Sequence, residues 1–136
     1  MAQNKPAYRD TTALIAFLDR SDSWHAHFYQ LFARPPRLIT SSLVIAEGHG
    51  WFLKRYDEHR ALQFINFIDS LSALSIHQVG PKEIQQSAKL IKKYKDQSLT
   101  IADACGLYLM ETKKIRICWS TDHHLGITGV PLAIHQ

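Results

Sequence analysis

The chain has 136 residues, 46% of them hydrophobic and 21% charged, and its formal net charge is +4. This length allows one domain with a hydrophobic core, residues 1–136, and the composition excludes a disordered chain. No leader peptide and no apolar run near the ~20 residues of a membrane span are visible, so we expect a cytoplasmic protein without a membrane partner.

The first third of the chain predicts a short strand followed by two helices. The strand is expected at Tyr8 and Arg9. A helix begins at Thr11, because the apolar residues after it recur at helical spacing. A second helix contains Trp24, and the proline pair at 35–36 ends it.

The rest of the chain continues the alternation of strands and helices. Residues 37–40 form a β-type run, and Ser41 or Ser42 can cap a helix that carries four apolar residues and then Glu47. Further segments follow in this order: a helix at 62–71, a strand at 73–79, a helix from Pro81 with Ile84, Ala88, Ile91 and Tyr94 on its buried side, a helix at 98–110, a strand at 115–119, a turn at 120–125 and a strand at 130–134.

This alternation predicts an α/β fold. Short strands separated by largely apolar helices favour a parallel sheet with helices on both faces. In such folds functional groups collect beyond the carboxyl ends of the strands. Asp10, Asp122 and the loop leading to Glu47 hold such positions, whereas Asp103 follows no strand and would reach that edge from the first turn of its helix.

Three of these four acids have an ordinary structural explanation, and Glu47 does not. Asp10 and Asp103 can cap helices, the latter paired with Thr100, and Asp122 can form an Asx-turn. Glu47 follows four apolar residues on a helix that we expect to be buried, where a carboxylate without a partner is costly.

Together the four acids suggest a metal site. Converging carboxylates repel one another unless a cation neutralises them, and Mg²⁺ or Mn²⁺ prefers oxygen ligands. Such an ion can polarise a phosphodiester and generate a hydroxide nucleophile. The residues alone leave convergence open.

Four motifs resemble the PIN-domain family, especially the VapC-type ribonuclease toxins: "DTTALIAFLDRSD", "TSSLVIAE", "LTIADA" and "STDHHL", in this order. The resemblance implies a PIN-like three-layer sandwich, with a short, mostly parallel central sheet flanked by helices. It implies a Mg²⁺- or Mn²⁺-dependent endoribonuclease, the toxin of a type II pair with an antitoxin partner, acting on RNA. Asp10, Glu47, Asp103 and Asp122 fall on the family's catalytic and metal-binding positions, and Thr11, Thr12 and Thr121 on its supporting hydroxyls.

The resemblance also implies a homodimer, with Trp51 and Phe52 as interface candidates. Arg9 departs from the family pattern, because an apolar residue usually precedes the first acid, and Leu125 stands where an aromatic residue is common. Cys105 and Cys118 are expected to be buried free thiols.

Parts of the sequence also suggest three other kinds of protein or site. A non-catalytic RNA-binding or scaffolding PIN-like domain is the alternative, although no core acid is missing. A phosphoacceptor receiver domain would need two adjacent acids after the first strand, and only Asp10 stands there. The histidines lack the spacing of a zinc site.

Overall fold

The computed structural model describes residues 6–33 and 37–120, and there the elements alternate as predicted. In chain order they are β1 (Ala7–Arg9), α1 (Thr11–Leu18), α2 (His25–Ala33), β2 (Leu38–Ser41), α3 (Ser42–Arg55), α4 (Glu58–Ser70), β3 (Leu74–His77), α5 (Pro81–Lys93), a 3₁₀ turn (Lys95–Gln97), α6 (Ile101–Thr112) and β4 (Cys118–Trp119). The expected turn around Asp122 and the last strand lie outside the described residues.

The described strands form one parallel sheet in the order β3-β2-β1-β4. Tyr8 in β1 pairs with Ile39 of β2 on one side and Cys118 of β4 on the other. β1 is therefore an inner strand, and Asp10 is the first residue after its carboxyl end. The predicted parallel sheet is confirmed.

Helices cover both faces of this sheet. Because side chains alternate along a strand, Ala7 of β1 packs into one apolar cluster and Tyr8 into another. The first cluster includes Leu14, Phe28 and Phe64 from α1, α2 and α4, and the second includes Leu107 and Met110 from α6. The result is the three-layer arrangement that the sequence predicted.

Close packing between α3 and α4 depends on Gly48. A Cβ atom built on Gly48 would overlap the ring of Phe64, whereas one built on Gly50 would meet nothing within 4 Å. Gly48 is buried on α3 and Phe64 is fully buried on α4. The two helices approach more closely at Gly48 than any residue with a Cβ would allow.

Two expectations about individual side chains were wrong. Ile84 was placed on the buried side of α5 but is 40% exposed, and Ser87 is the residue of that helix that is fully buried. Phe52, proposed for a dimer interface, lies in the core of the single chain with 1% of its surface exposed. Of that pair only Trp51 remains partly accessible.

Cys105 and Cys118 are buried thiols outside any disulfide bond, as predicted. Among the residues that the structure describes, no helix is long and apolar enough to cross a membrane.

Candidate active site

Asp10 lies at the carboxyl end of β1 and caps α1. Its Oδ1 accepts hydrogen bonds from the Thr12 backbone N–H at 3.0 Å and from the Thr12 hydroxyl at 2.6 Å. Its Oδ2 accepts a hydrogen bond from the Ser120 hydroxyl at 2.7 Å, and the two hydroxyls lie 3.2 Å apart. The carboxylate is therefore fixed between the start of α1 and the end of β4.

Glu47 is tied to the same helix terminus by a side-chain hydrogen bond. The hydroxyl of Thr11 donates to Oε1 of Glu47 at 2.7 Å, although 36 positions separate the two residues. Thr11 follows Asp10 directly, so the first turn of α1 connects both acids.

The expectation that Glu47 is buried was wrong. The buried residues of α3 are Val44, Gly48 and Phe52, which recur every four residues and define its core-facing side. Glu47 lies away from this side and is exposed. Its carboxylate is therefore open to solvent and needs no buried partner for its stability.

Asp103 lies in the first turn of α6 and forms a reciprocal capping box with Thr100. The Asp103 backbone N–H donates to the Thr100 hydroxyl at 3.1 Å, and the Thr100 backbone N–H donates to Oδ2 of Asp103 at 3.1 Å. α6 leads into β4, which starts at the amino edge of the sheet, so the first turn of α6 points toward the carboxyl edge. Gly106 packs against Tyr8 in the middle of β1. The capping role that the sequence suggested for Asp103 is confirmed.

The structure holds Asp10 and Glu47 at the first turn of α1, but the described residues do not complete a metal cluster. Within residues 6–33 and 37–120 no group of three His, Cys, Asp or Glu side chains is arranged to hold a metal ion. Asp122 and Thr121 lie outside the described residues. The oxygen donors of Asp10 and Glu47 are of the type that suits a hard cation such as Mg²⁺ or Mn²⁺. Convergence with Asp103 and Asp122 stays a prediction.

Ser120 is a site residue that sequence reasoning missed. The supporting hydroxyl was assigned to Thr121, yet Ser120, fully buried, donates to Asp10. Its position carried a usable signal, because Ser120 follows β4 directly, as Asp10 follows the neighbouring β1. The first residues beyond two adjacent parallel strands are neighbours at the sheet edge.

Arg9, one residue before Asp10, is fully buried without a hydrogen-bond acceptor among the described residues. Its guanidinium carbon lies 4.9 Å from the centre of the Phe32 ring, so a cation–π contact replaces part of its lost hydration. Burial lowers the pKa of the Arg9 guanidinium from 12.5 to about 9. Arg9, which departs from the family pattern, is therefore expected to lower the stability of the fold at the position directly before Asp10.

Comparison with known proteins agrees with this arrangement. The PIN domain family model matches residues 7–129. The chain is 28% identical over 114 residues to ribonuclease VapC26 of Mycobacterium tuberculosis, covering 83% of this chain and 84% of the relative.

Solved structures share the fold at lower identity. VapC20 of Mycobacterium tuberculosis, described as a toxin that cleaves the sarcin–ricin loop, superimposes with a TM-score of 0.84 at 19% identity, covering 91% of this chain and 95% of that one. PAE2754 from Pyrobaculum aerophilum gives a TM-score of 0.67 at 17% identity over 98% and 92% of the two chains. A toxin–antitoxin complex from Klebsiella pneumoniae gives 0.60 at 20% identity over 93% and 94%.

The family match spans most of the chain and includes β1, the parallel sheet and the elements that carry Asp10, Glu47 and Asp103. The chain belongs to the PIN-domain family.

Proposed function

We propose that the protein is a metal-dependent endoribonuclease that hydrolyses RNA phosphodiester bonds, and the toxin of a type II toxin–antitoxin pair. The observation that carries this proposal is that Thr11, the residue directly after Asp10, donates its hydroxyl to Oε1 of Glu47, so that both acids are held at the first turn of α1. The name of the curated relative, ribonuclease VapC26, supports the chemistry, and the toxin–antitoxin complex among the similar structures supports an antitoxin partner.

In this proposal Asp10, Glu47, Asp103 and Asp122 hold Mg²⁺ or Mn²⁺. When bound, such a cation polarises the scissile phosphodiester and lowers the pKa of a water molecule. The carboxylates of the chain also exclude phosphate from the edge of the sheet unless a cation is present, because like charges repel.

The hydroxyl residues orient the acids. Thr12 and Ser120 each hold one oxygen of Asp10, and Thr11 restrains the exposed Glu47. Hydrogen bonds of this kind fix the direction of a ligand and tune its basicity. The site is therefore restrained by elements of the core rather than by long loops.

Basic side chains on the surface support RNA as the substrate. They lie in two sequence groups, and all of them are exposed: Lys89, Lys92, Lys93, Lys95, Lys113, Lys114 and Arg116. Contacts to the phosphate backbone provide most non-specific affinity for nucleic acid. We further propose a cytoplasmic location and a homodimer, with Trp51 at its interface.

A second candidate is a non-catalytic RNA-binding or scaffolding PIN-like domain. It is favoured by one observation: Asp10 caps α1 and Asp103 completes the capping box of α6, so both acids have a structural role without metal. Cleavage assays separate the two candidates.

The test is cleavage of mixed cellular RNA by purified protein with Mg²⁺, with Mn²⁺ and with EDTA, beside Asp103→Asn. Asparagine keeps a side-chain oxygen that can accept from the Thr100 backbone N–H, so the capping box and the fold should persist while the charge is lost. Asp57→Asn is the matched control, because Asp57 caps α4 through the Arg60 backbone N–H at 2.9 Å and lies in none of the four family motifs. We expect metal-dependent cleavage by the wild type and by Asp57→Asn, and none by Asp103→Asn. Full activity of folded Asp103→Asn would exclude the assigned role.

A further inference from the structure

A surface depression of about 400 Å³ lies where α1 turns into α2, outside the acidic site. It is lined by Arg20, His25, Ala26, Tyr29 and Gln30. We propose that this depression is a nucleotide subsite for the RNA substrate, in which a base stacks on Tyr29 and a phosphate pairs with Arg20. The inference rests on the proposed ribonuclease function.

The ring of Tyr29 is held in place by other aromatic rings and is exposed to solvent, so it can stack on a base. Its ring is stacked on Phe17 with centroids 5.6 Å apart and planes 10° from parallel, and Phe17 is stacked on Phe67 at 4.9 Å and 16°. Tyr29 is nevertheless 59% exposed. Phe17 and Phe67 are partly buried and pack against the core, and the His25 ring also contacts Tyr29, with centroids 5.8 Å apart. A base placed on the exposed part of the Tyr29 ring would extend this group of stacked rings. Aromatic rings bind unpaired bases in this way without regard to sequence.

The polar groups around the ring suit a nucleotide. The exposed guanidinium of Arg20 matches phosphate geometry, and the amide of Gln30 can donate to and accept from a base edge. His25 is fixed because its Nδ1 lies 2.8 Å from the backbone oxygen of Ala16, and since a carbonyl only accepts, Nδ1 carries the hydrogen. The nearest acid in sequence, Asp19, adjoins Arg20 but is buried, and its Oδ1 accepts hydrogen bonds from the backbone N–H and the hydroxyl of Ser21. Asp22 accepts a hydrogen bond from the Trp24 backbone N–H at 2.8 Å at the entry to α2.

The depression and the acids lie at opposite ends of one rigid element. α1 begins at Thr11, which is bonded to Glu47, and ends at Leu18, a length of about 10 Å at 1.5 Å per residue. A single RNA strand can span this distance with a few nucleotides. A strand cleaved at the acids could therefore be held at Tyr29 at the same time.

The test measures binding of a short, fluorescein-labelled single-stranded RNA of mixed sequence by fluorescence anisotropy at low salt. Asp103→Asn protein is used as the background so that the RNA stays intact. Tyr29→Ala should weaken binding about 5- to 100-fold, the effect of losing one stacked base, whereas Tyr29→Phe should stay within about twofold. Leu62→Ala is the control, because Leu62 is also 59% exposed but lies on α4.

Salt dependence tests the phosphate contact separately. Arg20→Gln should weaken binding and reduce the slope of log affinity against log salt concentration by about 0.7, the value for one phosphate on a single strand. In the active protein, Tyr29→Ala should raise KM and leave kcat unchanged, because the ring is remote from the acids.

Equal affinities of Tyr29→Ala and the background protein would overturn the subsite and leave the ribonuclease proposal standing if the wild type still cuts RNA. Loss of binding in Tyr29→Phe as well as Tyr29→Ala would overturn stacking as its basis. Unchanged RNA affinity together with altered self-association in sedimentation would assign the ring to a protein interface instead. A background protein that binds no RNA, from a wild type that cuts none, would overturn both proposals.

Discussion

Replacing the buried Arg9 by methionine should stabilise the folded protein. The guanidinium has no hydrogen-bond acceptor among the described residues, and its pKa falls from 12.5 to about 9. A difference of roughly 3.5 pKa units, at about 1.36 kcal/mol each, corresponds to a cost of about 5 kcal/mol for holding the charge in the core. Loss of the cation–π contact with Phe32 offsets about 0.5–2 kcal/mol of this.

The net expectation for Arg9→Met is a gain of about 3 kcal/mol in the free energy of unfolding. Methionine is chosen because its flexible thioether fills an irregular space. The measurement is urea unfolding followed by circular dichroism at neutral pH in metal-free buffer, with the midpoint and the slope fitted separately. Arg37→Met is the control, since Arg37 is exposed, and it should change stability by less than about 0.5 kcal/mol.

A variant with Arg9→Met that unfolds at lower urea than the wild type would refute this reasoning. It would show that the guanidinium has a stabilising partner, and that the charge is compensated rather than isolated. An unchanged midpoint with a changed slope would instead indicate that the unfolded state has altered.

Three further predictions concern packing, pH and the support of the site. Gly48→Ala should lower the free energy of unfolding by about 1–3 kcal/mol, because the added methyl group has no room beside Phe64. Gly50→Ala should raise it by about 0.5–1 kcal/mol, and equal thermal midpoints of the two variants would contradict this. The hydrogen bond from His77 lowers the pKa of Glu83 to about 2, so Glu83 contributes stability above about pH 4.5 that is lost as the pH falls toward 2. The wild type should therefore be more stable than Glu83→Gln at neutral pH, and this difference should shrink as the pH falls from about 4.5 toward 2. Urea titrations at several pH values measure it, and a difference that does not change with pH would argue against the bond between His77 and Glu83. Ser120→Ala should lower Mg²⁺ affinity or cleavage about 10- to 100-fold with an unchanged circular dichroism spectrum, and full activity would show that Asp10 needs no such support.

The elements of this fold were predictable because their ends are set by local chemistry. Asp10, Ser41, Pro81 and Thr100 each stand at a helix start, and the structure begins a helix at or just after each of them. Capping depends only on residues within one turn, so the sequence contains the necessary information.

Which side of a helix is buried was harder to predict. Glu47 and Ile84 both lie in segments with the expected helical pattern, yet both are exposed. Burial depends on where neighbouring helices pack, and the close contact between Gly48 and Phe64 fixes the orientation of α3 through a residue 16 positions later. Such contacts have no local signal.

In the candidate site, too, features with a local signal were predictable and features that depend on packing were not. Asp10 is predictable because it directly follows a strand, whereas the family resemblance indicates Thr121 as the supporting hydroxyl and not the preceding Ser120. That Arg9 breaks the family pattern is visible in the sequence. The sequence does not reveal that the Arg9 charge lacks a hydrogen-bond partner among the described residues, because this depends on the packing around Phe32.

The most direct measurement is calorimetric titration of Mn²⁺ into the wild type and into Asp10→Asn. Asparagine can retain the cap on α1, so the variant separates the structural role of Asp10 from metal binding. The account predicts binding by the wild type and its loss in a variant that remains folded. Equal binding by both proteins, or none by the wild type, would contradict a metal site built on Asp10.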